Sequence, residues 1–346
     1  MSMTLSTPTI QAPRINRRPK QRHNLYNFGA SNLEKSVVKT LAYYEALGQY
    51  PLTTIELWRY LQKENDEQSR PSFYHFLKAL EQMDGPGIKI QRLNGFWFLP
   101  GKEKFYTQRI SRQKIASAKW KKVRRIGVWL AACPFLRGLL VSGSLAFDNT
   151  KEQSDIDFLV ITAPSRIWTC RTFLSFMLQI IGQRRHGNVI ENKICLNHYI
   201  ASDTLTVPLQ NLSNAHLYSH LIPLTDYQSF DLFQEQNAWI ADFIFSYPQN
   251  KENHQRIISS NSVFYKLWRA SARGTEFLLS GFPGNILEKR LSAWQIKRIH
   301  QKTNWRALKD EQLRLDRGAL LFHYPICKNA EVMNKYKQKV KSLKQV

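Results

Sequence analysis

Between Leu139 and Thr162 an apolar run, a Gly-Ser turn and two aspartates follow one another, and few folds accommodate that order. Leu139-Leu140-Val141 predicts a strand, which Gly143-Ser144 breaks; a short helix follows. Asp155 and Asp157 then open a second strand, Phe158-Leu159-Val160-Ile161. Side chains alternate along a strand, so the two aspartates share a face. Two like charges at that spacing repel unless a cation neutralises them. Mg²⁺ suits such a pair, because it takes oxygen ligands and keeps positions open for phosphate. A Gly-Ser turn brings backbone N–H groups and a hydroxyl close to phosphate oxygens.

Gly143-Ser144, ten intervening residues and Asp155-Ile156-Asp157, set between apolar runs, resemble the signature of the DNA-polymerase-β-like nucleotidyltransferase superfamily. The resemblance implies that Gly143 and Ser144 hold the triphosphate of ATP or another NTP, with Asn149 and Ser154 beside them as nucleotide contacts. It implies that Asp155 and Asp157 are the catalytic pair and hold Mg²⁺ (or Mn²⁺). The superfamily usually places a third carboxylate on a later strand, as metal ligand and general base. The strand expected at 193–200 carries no acid; Asn197 takes the third position there, and Glu191 and Asp203 only flank it.

The formal charge of +24 points to a polyanionic partner, RNA or DNA before an anionic membrane surface, unless it serves solubility alone. Four scattered cysteines without Cys-x-x-Cys spacing argue against a zinc site or a disulfide framework and fit a reducing cytoplasm. No run approaches the roughly 18–20 apolar residues of a membrane span.

Along the chain, residues 1–25 read as a disordered basic tail. Residues 31–100 predict three helices and a hairpin, the order of a winged-helix domain. Thr53 and Glu56 are spaced as a capping box, and Asn94-Gly95 separates two alternating runs. Its third helix carries Arg70, His75 and Lys78 but also Glu81, which suits DNA reading and protein docking equally. Residues 101–133 read as a basic linker helix. Ten Lys or Arg fall between Gly101 and Arg125 against Glu103 alone, so the helix either guides a nucleic acid or simply links two domains in solvent. Residues 134–202 form the expected nucleotidyltransferase core. Residues 203–346 form an expected helical C-terminal domain, with two amphipathic helices broken at Gly281-Phe282-Pro283-Gly284 and a strand or turn at Leu320-Leu321-Phe322-His323. The fold class is therefore α+β.

Several further stretches resemble a bacterial family of uncharacterised nucleotidyltransferase-domain proteins with an N-terminal winged helix. They include Lys39-Thr40-Leu41-Ala42-Tyr43-Tyr44, Ser142-Gly143-Ser144-Leu145-Ala146, Lys193-Ile194-Cys195-Leu196-Asn197 and Asn237-Ala238-Trp239. The expected function is metal-dependent transfer of an NMP, AMP first, from an NTP to a hydroxyl or phosphate acceptor such as RNA. The alternative is a winged-helix nucleic-acid-binding regulator whose nucleotidyltransferase domain binds nucleotide with little turnover.

Overall fold

A computed structural model of the chain describes residues 32–64, 70–84, 89–185, 190–225, 227–248, 263–302, 313–315, 318–322 and 326–344. The basic stretch 1–25 and His323 lie outside them.

The N-terminal layer holds α1 (Asn32–Gly48), β1 (Leu52–Thr53), α2 (Thr54–Arg59), α3 (Phe73–Met83), β2 (Gln91–Leu93) and β3 (Phe96–Phe98). The capping box forms: the Thr53 hydroxyl accepts from the Glu56 N–H at 3.2 Å, and Glu56 Oε2 accepts from the Thr53 N–H at 2.8 Å. Asn94 and Gly95 turn the hairpin at φ +48° and +83°, the left-handed pair a two-residue turn requires. The three strands pair in the order β1-β3-β2.

Next come α4 (Lys104–Leu130), β4 (Leu136–Ser142), α5 (Gly143–Ala146), β5 (Ile156–Thr162), α6 (Ile167–Ile180) and β6 (Ile194–Ala201). β4 and β5 run antiparallel, whereas β5 and β6 run parallel because α6 carries the chain across between them. The apolar strand runs are explained by cover on both faces. Leu139, Val141, Phe158 and Val160 belong to a core shared with α4 and α6. Leu140, Leu159 and Ile161 face the opposite core, with residues of the chain beyond 203.

That later chain comprises α7 (Leu212–Ser219), β7 (Ile222–Pro223), α8 (Tyr227–Gln236), α9 (Val263–Leu278), α10 (Phe282–Lys302), β8 (Leu313–Leu315), β9 (Ala319–Phe322) and α11 (Ile326–Lys344). It is not the separate helical unit expected for 203–346. β7 joins one edge of the central sheet and β9 with β8 extend the other, giving the order β7-β4-β5-β6-β9-β8. α11 returns to α1, where Tyr336 is buried with Val37, Leu41 and Tyr43. The expected break falls between α9 and α10. A Cβ on Gly284 would lie 1.7 Å from the Leu279 carbonyl oxygen, so only glycine allows that turn to close. The class is mixed α+β.

A buried polar chain fastens the N-terminal layer to α7. The His220 Nδ1–H donates to the His216 carbonyl at 2.8 Å, which leaves its Nε2 to accept from Tyr44 Oη at 3.2 Å. Tyr44 Oη in turn accepts from His216 Nδ1 at 3.1 Å, and His216 Nε2 accepts from Gln62 Nε2 at 3.2 Å. Gln62 Oε1 accepts from the Tyr336 hydroxyl at 3.0 Å. Each step is satisfied only with both imidazoles neutral. Burial supplies the same preference, pushing His216 down to about 3 and His220 well below its usual range.

Candidate functional site

Gly143 leaves β4 at φ +63°, and a Cβ there would meet Asp157 Oδ2 at 2.5 Å. Glycine is therefore needed twice, for the left-handed backbone and for its approach to the carboxylate. Register explains the closeness, because Ser142 pairs with Asp157 across the β4–β5 ladder. Ile156 and Phe158 are fully buried and fix the strand, so the alternate residues Asp155 and Asp157 share the other face, both half-buried.

The parallel neighbour supplies the next group. Asp157 pairs with Cys195, and the thiol sulfur lies within 4.8 Å of carboxylate oxygens of both Asp155 and Asp157. One residue later the ladder is irregular: Phe158 pairs with Leu196 but Leu159 with His198. Asn197, expected at the third position, is the extra residue of that bulge, and its side chain lies outside the described features. Glu191 and Asp203 are exposed and do not join the cluster. Burial, with the Asp157 and Asp155 carboxylates beside it, pushes the Cys195 thiol up to about 12. Arg185 opposes that shift: its Nη1 lies 2.5 Å from Asp155 Oδ2 and 3.3 Å from Cys195 Sγ.

α4 holds both loops that flank the pair. Lys119 is 3% exposed, and its Nζ donates to the carbonyls of Ser154 (2.6 Å), Lys151 (2.7 Å) and Glu152 (3.2 Å) and to the Thr150 hydroxyl (3.3 Å). One turn on, Lys122 donates to the Asn192 carbonyl at the start of the β6 approach. Arg112 binds the Gly48 carbonyl at 2.7 Å and Asn149 Oδ1 at 3.0 Å. Asn149, expected to touch nucleotide, thus ties its loop to the end of α1, and the Ser154 carbonyl serves Lys119.

Arg109 joins this loop to the N-terminal layer. It is 1% exposed and lies over the Tyr50 ring, 3.9 Å from its centroid. It donates to Glu56 Oε1 at 2.7 Å and to the Phe147 carbonyl at 2.9 Å. Tyr50 donates to the same carbonyl at 2.5 Å. The residue that closes α5 is therefore held by a buried cation and by Tyr50, and the capping-box Glu56 holds that cation in turn.

The structure brings Gly143, Asp155 and Asp157 together, with Ser144 half-buried in the same turn. Cys195 and Arg185 are the neighbours that sequence reasoning missed. Cys195 stands two residues before Asn197, on the same face of a regular strand, but a search for oxygen ligands passes over a thiol. Comparison with protein-family models, with curated proteins and with solved structures finds no match to this chain.

Proposed function

We propose that the chain is a metal-dependent nucleotidyltransferase of the DNA-polymerase-β-like kind, moving an NMP, AMP first, from an NTP to a hydroxyl or phosphate acceptor. The observation that carries this reading is the Gly143 turn set against Asp157, with Asp155 and Cys195 completing one donor group. The strand arrangement around it, β4 antiparallel to β5 and β5 parallel to β6, supports the same core. The order helix, strand, helix, helix, strand, strand with pairing β1-β3-β2 supports a winged helix over residues 31–100.

Two carboxylates fit a divalent cation such as Mg²⁺ or Mn²⁺, and the thiol beside them is a softer donor than the missing carboxylate. When bound, such an ion neutralises the triphosphate and polarises the α-phosphate. Asp155, Asp157 and Cys195 would hold it. The Gly143-Ser144 backbone would cradle the phosphate tail, and the loops gripped by Lys119 and Lys122 would keep the pair in place. Arg185, released from Asp155, would add positive charge on the phosphate side. The missing third carboxylate favours a second reading, a regulator that binds nucleotide with little turnover.

Transfer of labelled NTP to total RNA, protein and metabolites, compared between the wild type and Asp155→Ala/Asp157→Ala, tests both. Label on one fraction, lost in the variant, is the expected result. Nucleotide binding without transfer favours the regulator, and absence of any metal-dependent NTP binding overturns both.

A further inference from the structure

Two stripes run side by side along α4. One carries Lys119, Trp120 and Val123 into the interior. The other, Ala118, Lys121, Lys122, Arg125 and Trp129, lies at successive helical turns and faces an open groove of about 590 Å³. That size falls within the roughly 300–1,000 Å³ of ordinary ligand sites. Ile126 and Ile181 give the groove an apolar floor, and its far wall is the turn after α6. Trp129 is 46% exposed, with the Trp268 ring packed against it in a T-shaped contact at 6.0 Å between centroids. An apolar floor, a large aromatic face and a rim of exposed cations suit a chain of bases linked by phosphates: rings stack, and Lys121 and Arg125 meet the backbone. A folded acidic protein would leave the floor and the indole face poorly matched, and a bilayer needs a convex or flat surface.

The groove also leads towards the aspartates. Gln183 lines it and accepts from the Ile194 N–H at 2.8 Å. Two residues on, Arg185 donates to the Ile194 carbonyl through its backbone N–H at 3.1 Å and to Asp155 through its side chain. Lys122 lies in the groove and holds the Asn192 carbonyl. The wall of the groove and the approach to Cys195 are one piece of backbone.

We infer that this α4 groove binds single-stranded nucleic acid and presents its end to the Asp155–Asp157 site as the acceptor. The acceptor role rests on the nucleotidyl-transfer reading. A terminal hydroxyl oxygen would form the new bond to the α-phosphorus, the bond to the β-phosphate oxygen would break, pyrophosphate would leave, and the hydroxyl proton would pass to solvent.

Fluorescence anisotropy with end-labelled twelve-nucleotide RNA and DNA strands tests the groove on the full chain. Lys121→Glu/Arg125→Glu should lose at least about tenfold in affinity and flatten the salt dependence by about two counterions. Trp129→Ala should lose about fivefold or more, the scale of a single stacked base. Lys78→Glu, on the exposed face of α3, should stay within about twofold. The three groove residues are exposed, and unchanged thermal unfolding of the variants checks that the fold persists. Binding of a fluorescent ATP analogue with Mn²⁺ is measured in parallel. Oligonucleotide affinity that ignores the groove variants, or falls instead with Lys78→Glu, overturns the groove. So does capture by phosphatidylserine vesicles without oligonucleotide binding. Groove-dependent oligonucleotide binding with no ATP binding overturns the transfer reading and leaves the groove standing.

Discussion

The two stripes of α4 are built from the same residue types and do opposite things. On the inner side Arg109, Arg112 and Lys119 are buried, and each spends its charge on carbonyls and side chains of the same molecule. On the outer side Lys121 and Arg125 keep theirs towards solvent. The inner cations order the loops that carry the candidate site; the outer ones are left to act on something else. Net charge therefore overstates the surface offered to a polyanion, because part of it is structural. A buried cation is held by its acceptors, and removing it strands them, whereas an exposed cation can be lost without disturbing the fold.

The sharpest break of this contrast is Arg109→Met. It leaves the Glu56 carboxylate without its cation and the Phe147 carbonyl with Tyr50 as its one remaining side-chain donor, and should cost about 3–5 kcal/mol in denaturant unfolding. Lys119→Met should cost less, about 2–3 kcal/mol, since its acceptors are mostly neutral carbonyls that water can reach once the loop relaxes. If the nucleotidyl-transfer proposal holds, it should also weaken NTP binding measured by calorimetry, because the 150–154 loop precedes Asp155 directly.

The histidine chain extends the comparison to acid. His216 and His220 have folded-state values depressed below their unfolded ones, so their neutral forms contribute full stability above about pH 6.5. As the pH falls below that, the unfolded chain takes up protons the folded one refuses. Stability should then fall by about 1.4 kcal/mol per histidine per pH unit, continuing for His216 towards about pH 3. Unfolding midpoints measured from pH 8 to pH 5 check the slope, and a flat profile would break the neutral-imidazole assignment. The smallest effect is expected outside: Lys121→Ala and Arg125→Ala should each change stability by less than about 0.5 kcal/mol.

The sequence made legible whatever had a local cause. Asn94-Gly95 turned its hairpin, Thr53 and Glu56 capped their helix, and the run from Leu139 to Thr162 produced strand, turn, short helix and strand. Gly143 and the aspartates were readable because glycine and paired carboxylates are costly where they are not needed. What stayed hidden depends on distant partners. β7 has two residues and β8 three, too few to show a period, so apart from Leu320-Leu321-Phe322-His323 the region after 203 looked helical. Nothing in the spacing of Arg109, Arg112 and Lys119 distinguishes them from Lys121 and Arg125 until the loops that they bind are in place. Cys195 became a neighbour of Asp157 through the pairing of β6, and Asn197 moved into a bulge that only the sheet defines.

The return of α11 to α1 has a consequence for biosynthesis. Val37, Leu41 and Tyr43 close their core around Tyr336, and Gln62 completes its hydrogen bonds with the same side chain. That layer therefore cannot finish folding until α11 has been translated. In the interval its apolar face stays open to solvent and to chaperones. A fragment that stops at residue 100 carries that unfinished surface permanently, so the layer of α1 to β3 is made long before α11 and is completed only with it.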